Sequence, residues 1–198
     1  MQLFANRKLN LKLCKFLLEV HHKSTNAAVR SELGRYPLLI SILNLSIRYH
    51  ERIISLEDSS LVKISCMDDS IQSLDSSWFS ITQRLYTDFG GSSSFKSNFE
   101  KLYSSNWESY IKKCHSEGKL RVYSQFKKVF SLENYILQFP SHFRRNFTKL
   151  RISAHNLAIE TGRYTKPAPT PIEKRLCFHC KEFETEFHFI SKCPLYDT

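Results

Sequence analysis

Four side chains near the C-terminus constrain the fold of this chain more than any other feature. They read Cys177-Phe178-His179-Cys180, then seven residues, His188, four residues and Cys193. A Cys-x-x-Cys pair lets two thiolates from one tight turn reach a single metal, and a later His and Cys complete a tetrahedral shell. The segment from 177 onward is too short to bury enough apolar surface by itself, so a metal would supply its folding energy. Phe178, Phe183, Phe187 and Phe189 offer a miniature core, and Pro194 halts the chain after the last ligand. Four protein ligands leave no open coordination position, so one Zn²⁺ here is expected to be structural, not catalytic. His179, inside the turn, is expected to face solvent. The spacing is far shorter than in a C₂H₂ finger, whose three-base code does not apply.

Upstream of this cluster the hydrophobic pattern is helical almost throughout, and the expected class is mainly α. The apolar stripes are Leu13-Phe16-Leu17-Val20 and Leu39-Ile42-Leu43-Ser46-Tyr49-His50-Ile53, the second placed after Pro37. Further helices are expected over Leu61–Leu74, from Trp78 to Phe89 with a stop at Gly90-Gly91, and from Phe95 to Cys114. Shorter pieces follow around Val122–Phe130 and Leu132–Phe139. A last helix starts at Ser141, with Phe143, Phe147, Leu150, Ala154 and Leu157 as its apolar side, and ends near Gly162. Pro167, Pro169 and Pro171 mark a semi-rigid spacer. The expected organisation is a bundle-like helical body, split into an N-terminal helical region (1–89) and a basic helical region (95–163). A proline-rich spacer (164–176) and a small CCHC zinc knuckle (177–198) follow.

The net charge of +10 is concentrated: residues 101–176 hold fifteen basic and five acidic groups, so that stretch alone accounts for the whole excess. Such a block points to a polyanionic partner. Arg144, Thr148, Arg151 and His155 would lie along one strip of the last helix, with Arg145 and Lys149 beside it and Arg163 beyond. A ridge of that kind can follow a phosphate backbone, giving affinity without sequence information. Membrane association is the weaker alternative, because no amphipathic stripe pairs these arginines with an exposed apolar face. No apolar run approaches the ~20 residues of a spanning helix. Lys12 and Lys15 interrupt the apolar Leu9–Val20 stretch, which makes it a poor signal peptide. Cys14, Cys66 and Cys114 stand singly, as in a reducing compartment, and the expected location is intracellular, in the nucleus.

No catalytic signature is evident. Cys66-Met67-Asp68-Asp69 imitates the aspartate hairpin of polymerases, but two-metal chemistry needs a further carboxylate on an adjacent strand. Here Asp68, Asp69 and Asp75 fall in a helical pattern. No G-x-S-x-G, H-E-x-x-H or P-loop occurs. His21-His22 has no ligand set around it. A small-molecule substrate is not expected.

Three segments resemble one family. His21-His-Lys-Ser-Thr-Asn26-Ala-Ala-Val29-Arg-Ser-Glu32-Leu-Gly-Arg-Tyr-Pro-Leu38 and Leu150-Arg-Ile-Ser-Ala-His155-Asn-Leu-Ala-Ile-Glu160-Thr-Gly-Arg-Tyr164 look like segments beyond the polymerase core of LINE-type (non-LTR) retrotransposon reverse transcriptases of the jockey-like kind. Cys177, Cys180, His188 and Cys193-Pro-Leu-Tyr resemble that family's C-terminal zinc motif. The resemblance implies a carboxy-terminal fragment that holds template RNA or target DNA. The polymerase and endonuclease chemistry would lie outside it, so the fragment is expected not to be an enzyme. The alternative is a protein-interaction or scaffold remnant that no longer binds nucleic acid.

Overall fold

The computed structural model describes residues 2–71, 77–114 and 118–196. It is mainly helical, with eleven α-helices and no sheet among the described residues; strand pairing is confined to the isolated bridges Leu33–Leu132 and Leu176–Phe183. No helix among them is long and apolar enough to cross a membrane. The chain divides into two compact units, one of Met1–Asn10 with Tyr36–Asn106, the other of Leu11–Arg35 with Trp107–Thr198. This differs from a cut near Gly90-Gly91. The segment Leu11–Arg35 packs with the second half because Glu32 and Leu33 pair with residues more than ninety positions later.

The first unit is built on α3 (Leu38–Ile54), α4 (Leu61–Ile71) and α5 (Trp78–Phe89), with the start of α6 (Ser92–Lys113). Pro37 precedes α3 as expected, but the buried stripe is Ile40-Asn44-Ile47-His50-Ile53, which leaves Tyr49 exposed. Ser77 caps α5, its hydroxyl accepting from the Ser80 N–H at 3.1 Å. Gly90, at φ 85°, ends that helix. The Gly90-Gly91 stop is a tight corner: α6 begins at once, and Glu51 Oε1 accepts from the Ser92 N–H at 2.8 Å. A carboxylate there meets the positive end of the helix, and a Cβ on Gly91 would stand 2.6 Å from that oxygen. Asp68 and Asp69 lie on α4, and Asp75 falls outside the described residues.

His50 is fully buried, its ring 4.7 Å from that of Phe79 and 5.9 Å from that of Tyr86. Burial pushes its pKa below the ordinary histidine value. The unfolded chain therefore binds the proton more readily. Stability should be intact above about pH 6.5 and fall as the pH drops from there towards the lowered folded pKa. Melting temperatures measured from pH 7.5 to 5 should show this loss, and His50→Phe should flatten it; an unchanged profile in the variant would assign the acid sensitivity elsewhere.

The second unit holds the last part of α1 (Gln2–Leu17), from Leu11, then α2 (Asn26–Glu32), α7 (Tyr123–Phe126), α8 (Tyr135–Gln138), α9 (Ser141–Arg151), α10 (Ala158–Thr161) and α11 (Glu186–Ser191). Among the side chains described on α1 the buried one is Cys14, with Leu18 and Val20 just beyond the helix, while Leu13, Phe16 and Leu17 are exposed; of the first apolar stripe, Val20 alone is in the core. The core is Ala28, Val29, Trp107, Ile111, Leu120, Tyr123 and Ile152. The Trp107 indole donates to the Ala27 carbonyl at 3.2 Å. The long final helix is two helices, since Ser153 adopts φ 52° and breaks the run after Arg151.

A buried polar network ties these pieces together. Glu32, 0% exposed, accepts from Arg151 Nε and Nη2 at 3.1 Å each and from the Tyr135 hydroxyl. Arg151 Nη2 also reaches Glu133 at 3.0 Å, and Glu133 accepts from the buried Lys127. Tyr135 and Thr148 share a hydroxyl contact at 2.8 Å, and Ser31 and Tyr123 another at 2.6 Å. Desolvation and the Glu32 charge keep both tyrosines firmly protonated.

Candidate metal centre and the basic face of the second unit

The tail folds around its four predicted ligands. Arg175 and Leu176 lead into a turn in which the Cys177 N–H donates to the Glu182 carbonyl at 2.7 Å and the Lys181 N–H to the Cys177 carbonyl at 3.1 Å. Lys181 sits at φ 61°, which reverses the chain directly after Cys180. Thr185 then caps α11, its hydroxyl accepting from the His188 N–H at 3.1 Å, so His188 is carried on the helix. Cys193 follows the helix, its N–H donating to the His188 carbonyl at 2.9 Å.

The ligand atoms of Cys177, Cys180, His188 and Cys193 all lie within 4.8 Å of one another, a Cys₃His cluster that could hold a metal ion. Cys177 Sγ and Cys193 Sγ are 3.8 Å apart. Zinc–sulfur bonds of about 2.3 Å in a tetrahedron give an edge of roughly 3.8 Å, so the spacing fits. His188 Nε2 lies 3.2 Å from Cys180 Sγ. Its Nδ1 is buried without a hydrogen bond among the described residues and has the Glu182 carboxylate at 3.5 Å, the kind of outer partner that orients a ligating imidazole. The Cys180 N–H is the main group drawing the Cys177 thiol down to about 7, which favours the thiolate a metal needs. His179 is exposed, as expected.

The tail is not strung from a free spacer. Residues 164–176 fold back, with the Thr170 N–H bonded to the Gly162 carbonyl at 2.8 Å. Arg175 is buried and donates to the Ile159 carbonyl at 2.8 Å and the Thr170 carbonyl at 2.9 Å. A Cβ on Gly162 would meet the Arg175 side chain at 2.8 Å, so glycine permits this contact. Glu184 takes the Ile159 N–H on its carbonyl at 3.3 Å and the Ala158 N–H on its carboxylate. Glu186, also buried, lies 3.3 Å from the Ser153 hydroxyl and 3.1 Å from His155 Nε2. Nothing in the sequence spacing marked Glu184, Glu186 or Arg175, because each acts across the proline segment.

The basic ridge is rearranged. Thr148 is 0% exposed and the Arg151 side chain 14%, so the strip meant for phosphate faces the protein interior, drawn in by Tyr135 and Glu32. The guanidinium of Arg151 stacks over Phe126 at 4.4 Å. His155 is held by Glu186, and Arg163 by Glu160 at 3.0 Å and the Gly118 carbonyl at 3.0 Å. Arg144 donates to the Ile136 carbonyl at 3.2 Å. Arg145 is exposed, with Glu19 at 3.6 Å, and Lys149 has no ion pair among the described residues. Conversely Phe143 and Phe147, expected to be buried, are exposed. No family model matches the chain, and no curated protein or solved structure was found to be similar to it.

Proposed function

We propose that this chain is a non-catalytic nucleic-acid-binding module braced by one structural zinc, the role suggested by its resemblance to the carboxy-terminal region of LINE-type reverse transcriptases. The observation that carries the proposal is the division of charge between the units. Residues 11–35 and 107–198 hold 21 basic and 11 acidic groups, whereas residues 1–10 and 36–106 hold eight of each. The entire excess of +10 therefore belongs to the unit that carries the Cys₃His cluster.

A phosphate backbone is the partner that matches such a surface. Arg145 and Lys149 are the members of the basic helix still open to it, with Arg144 at their side. The tail adds two cation–aromatic pairs, Lys181 over Phe178 at 4.8 Å and Lys192 over Phe187 at 5.5 Å. Both phenylalanines are exposed, and pairs of this kind can serve a base and its phosphate together. Zinc's part is to hold the ligand-bearing turn and α11 in place.

Titrating salt against RNA or DNA binding by the zinc-loaded chain tests the proposal. Affinity should fall steeply as salt rises, and Lys149→Ala should reduce the log–log slope by about one. Arg151→Lys, by contrast, should leave the slope unchanged, since that side chain faces inward. Binding that is absent or independent of salt would overturn the proposal in favour of a protein-interaction role.

A further inference from the structure

Two open grooves on the second unit share a wall. One, of about 660 Å³, is lined by Phe139, Phe143 and Phe147. The other, of about 640 Å³, is lined by Lys23, Ser24, Lys119 and Tyr164. Lys149, Ala154 and His155 line both, so an aromatic half runs directly into a cationic half.

In the cationic half both carboxylates are neutralised within the protein. Glu19 pairs with Arg145 at 3.6 Å, and Glu160 with Lys119 at 3.1 Å and Arg163 at 3.0 Å. Lys23 and Lys149 have no carboxylate partner among the described residues and supply the surplus. Ser24 is only 3% exposed, yet its Oγ has no hydrogen-bond partner among the described residues. A buried hydroxyl without a partner costs free energy unless something accepts from it. Desolvation lowers the His21 pKa most, and the neighbouring His22, Lys23, Lys119 and Lys15 at this rim lower it further. These are the features of an anion site.

The aromatic half asks for something flat beside that anion. Phe143 is 61% exposed, and Phe139 and Phe147 stand next to it with their rings 5.6 Å apart. In a duplex the base faces are stacked on one another and cannot reach these rings. In a single strand each base has a free face next to its own phosphate. We infer that the joined groove binds single-stranded nucleic acid, with bases on Phe139, Phe143 and Phe147 and phosphates on Lys23, Lys149 and the Ser24 hydroxyl. This deepens the nucleic-acid proposal and rests on it.

The test uses the full zinc-loaded chain and three probes of about 12 nucleotides: a single strand, the same sequence as a duplex, and an abasic strand of equal charge. The single strand should bind about tenfold tighter than either of the others. Phe143→Ala should lower single-strand affinity about tenfold and leave abasic binding unchanged. The double variant Lys23→Ala, Lys149→Ala should weaken all three probes alike. Phe143 is exposed, so its variant should keep the parent's melting temperature, which is measured alongside. Equal binding of all three probes with a silent Phe143→Ala would overturn the groove assignment and leave the polyanion proposal standing. No binding to any probe would overturn both.

Discussion

Arg151→Ala should destabilise the second unit by about 3–5 kcal/mol, the range for leaving one partner of a buried ion pair alone. Its partner Glu32 is 0% exposed and takes two of its hydrogen bonds from that guanidinium, so the variant leaves a buried carboxylate without its charged partner. The stack of Arg151 over Phe126 is lost as well. Arg151→Lys keeps the charge but not the two-pronged geometry, and should recover only part of the loss. The double variant Glu32→Gln, Arg151→Met removes the charge and its need for a partner together, and should be far more stable than Arg151→Ala. Urea unfolding of the four proteins gives the comparison. If Arg151→Ala unfolds at the parent's midpoint, the network does not hold the unit together.

Cys177→Ser should release the tail. A structural zinc site carries about 10–16 kcal/mol of binding free energy that doubles as folding free energy, and a Cys₂His remnant keeps little of it. The consequence extends beyond α11, because Glu184 and Glu186 join the tail to residues 153–159 through four hydrogen bonds. At about 1 kcal/mol for each bond, their loss removes about 4 kcal/mol. In a unit of this size that lowers the melting temperature by roughly 15 °C. Chelation of the parent should produce the same shift. Cys66→Ser, on α4 of the other unit, should leave the melt within about 1 °C of the parent. A Cys177→Ser protein that melts like the parent would show that the tail stands without metal.

Local chemistry was the most legible part of the sequence. The four ligands, the Gly90 stop and the Pro37 entry to α3 all depend on neighbours a few positions away, and the structure places each as the spacing suggests. The longer helices were legible too, though not the short α2 and α11, and not which face is buried. On α9 an apolar stripe of Phe143 and Phe147 competes with a polar strip of Thr148 and Arg151, and the polar strip lies inside because Glu32 and Tyr135 wait there. Those partners come from positions 119 and 13 residues away in the chain, beyond what helical periodicity can report. The same limit hid the docking of the tail, where an apparent spacer is fastened by Arg175. The concentration of charge in residues 101–176 was visible, yet its confinement to one unit appears only once Leu11–Arg35 is seen to pack with the later residues.

Everything proposed for the tail turns on a metal held by three sulfurs and one nitrogen. X-ray absorption at the zinc edge of the purified full chain, with metal content measured on the same sample, tests this most directly. The expected result is one zinc per chain with three sulfurs at about 2.3 Å and one nitrogen at about 2.0 Å. A chain that retains no zinc, or zinc whose nearest shell is oxygen and nitrogen without sulfur, would contradict it.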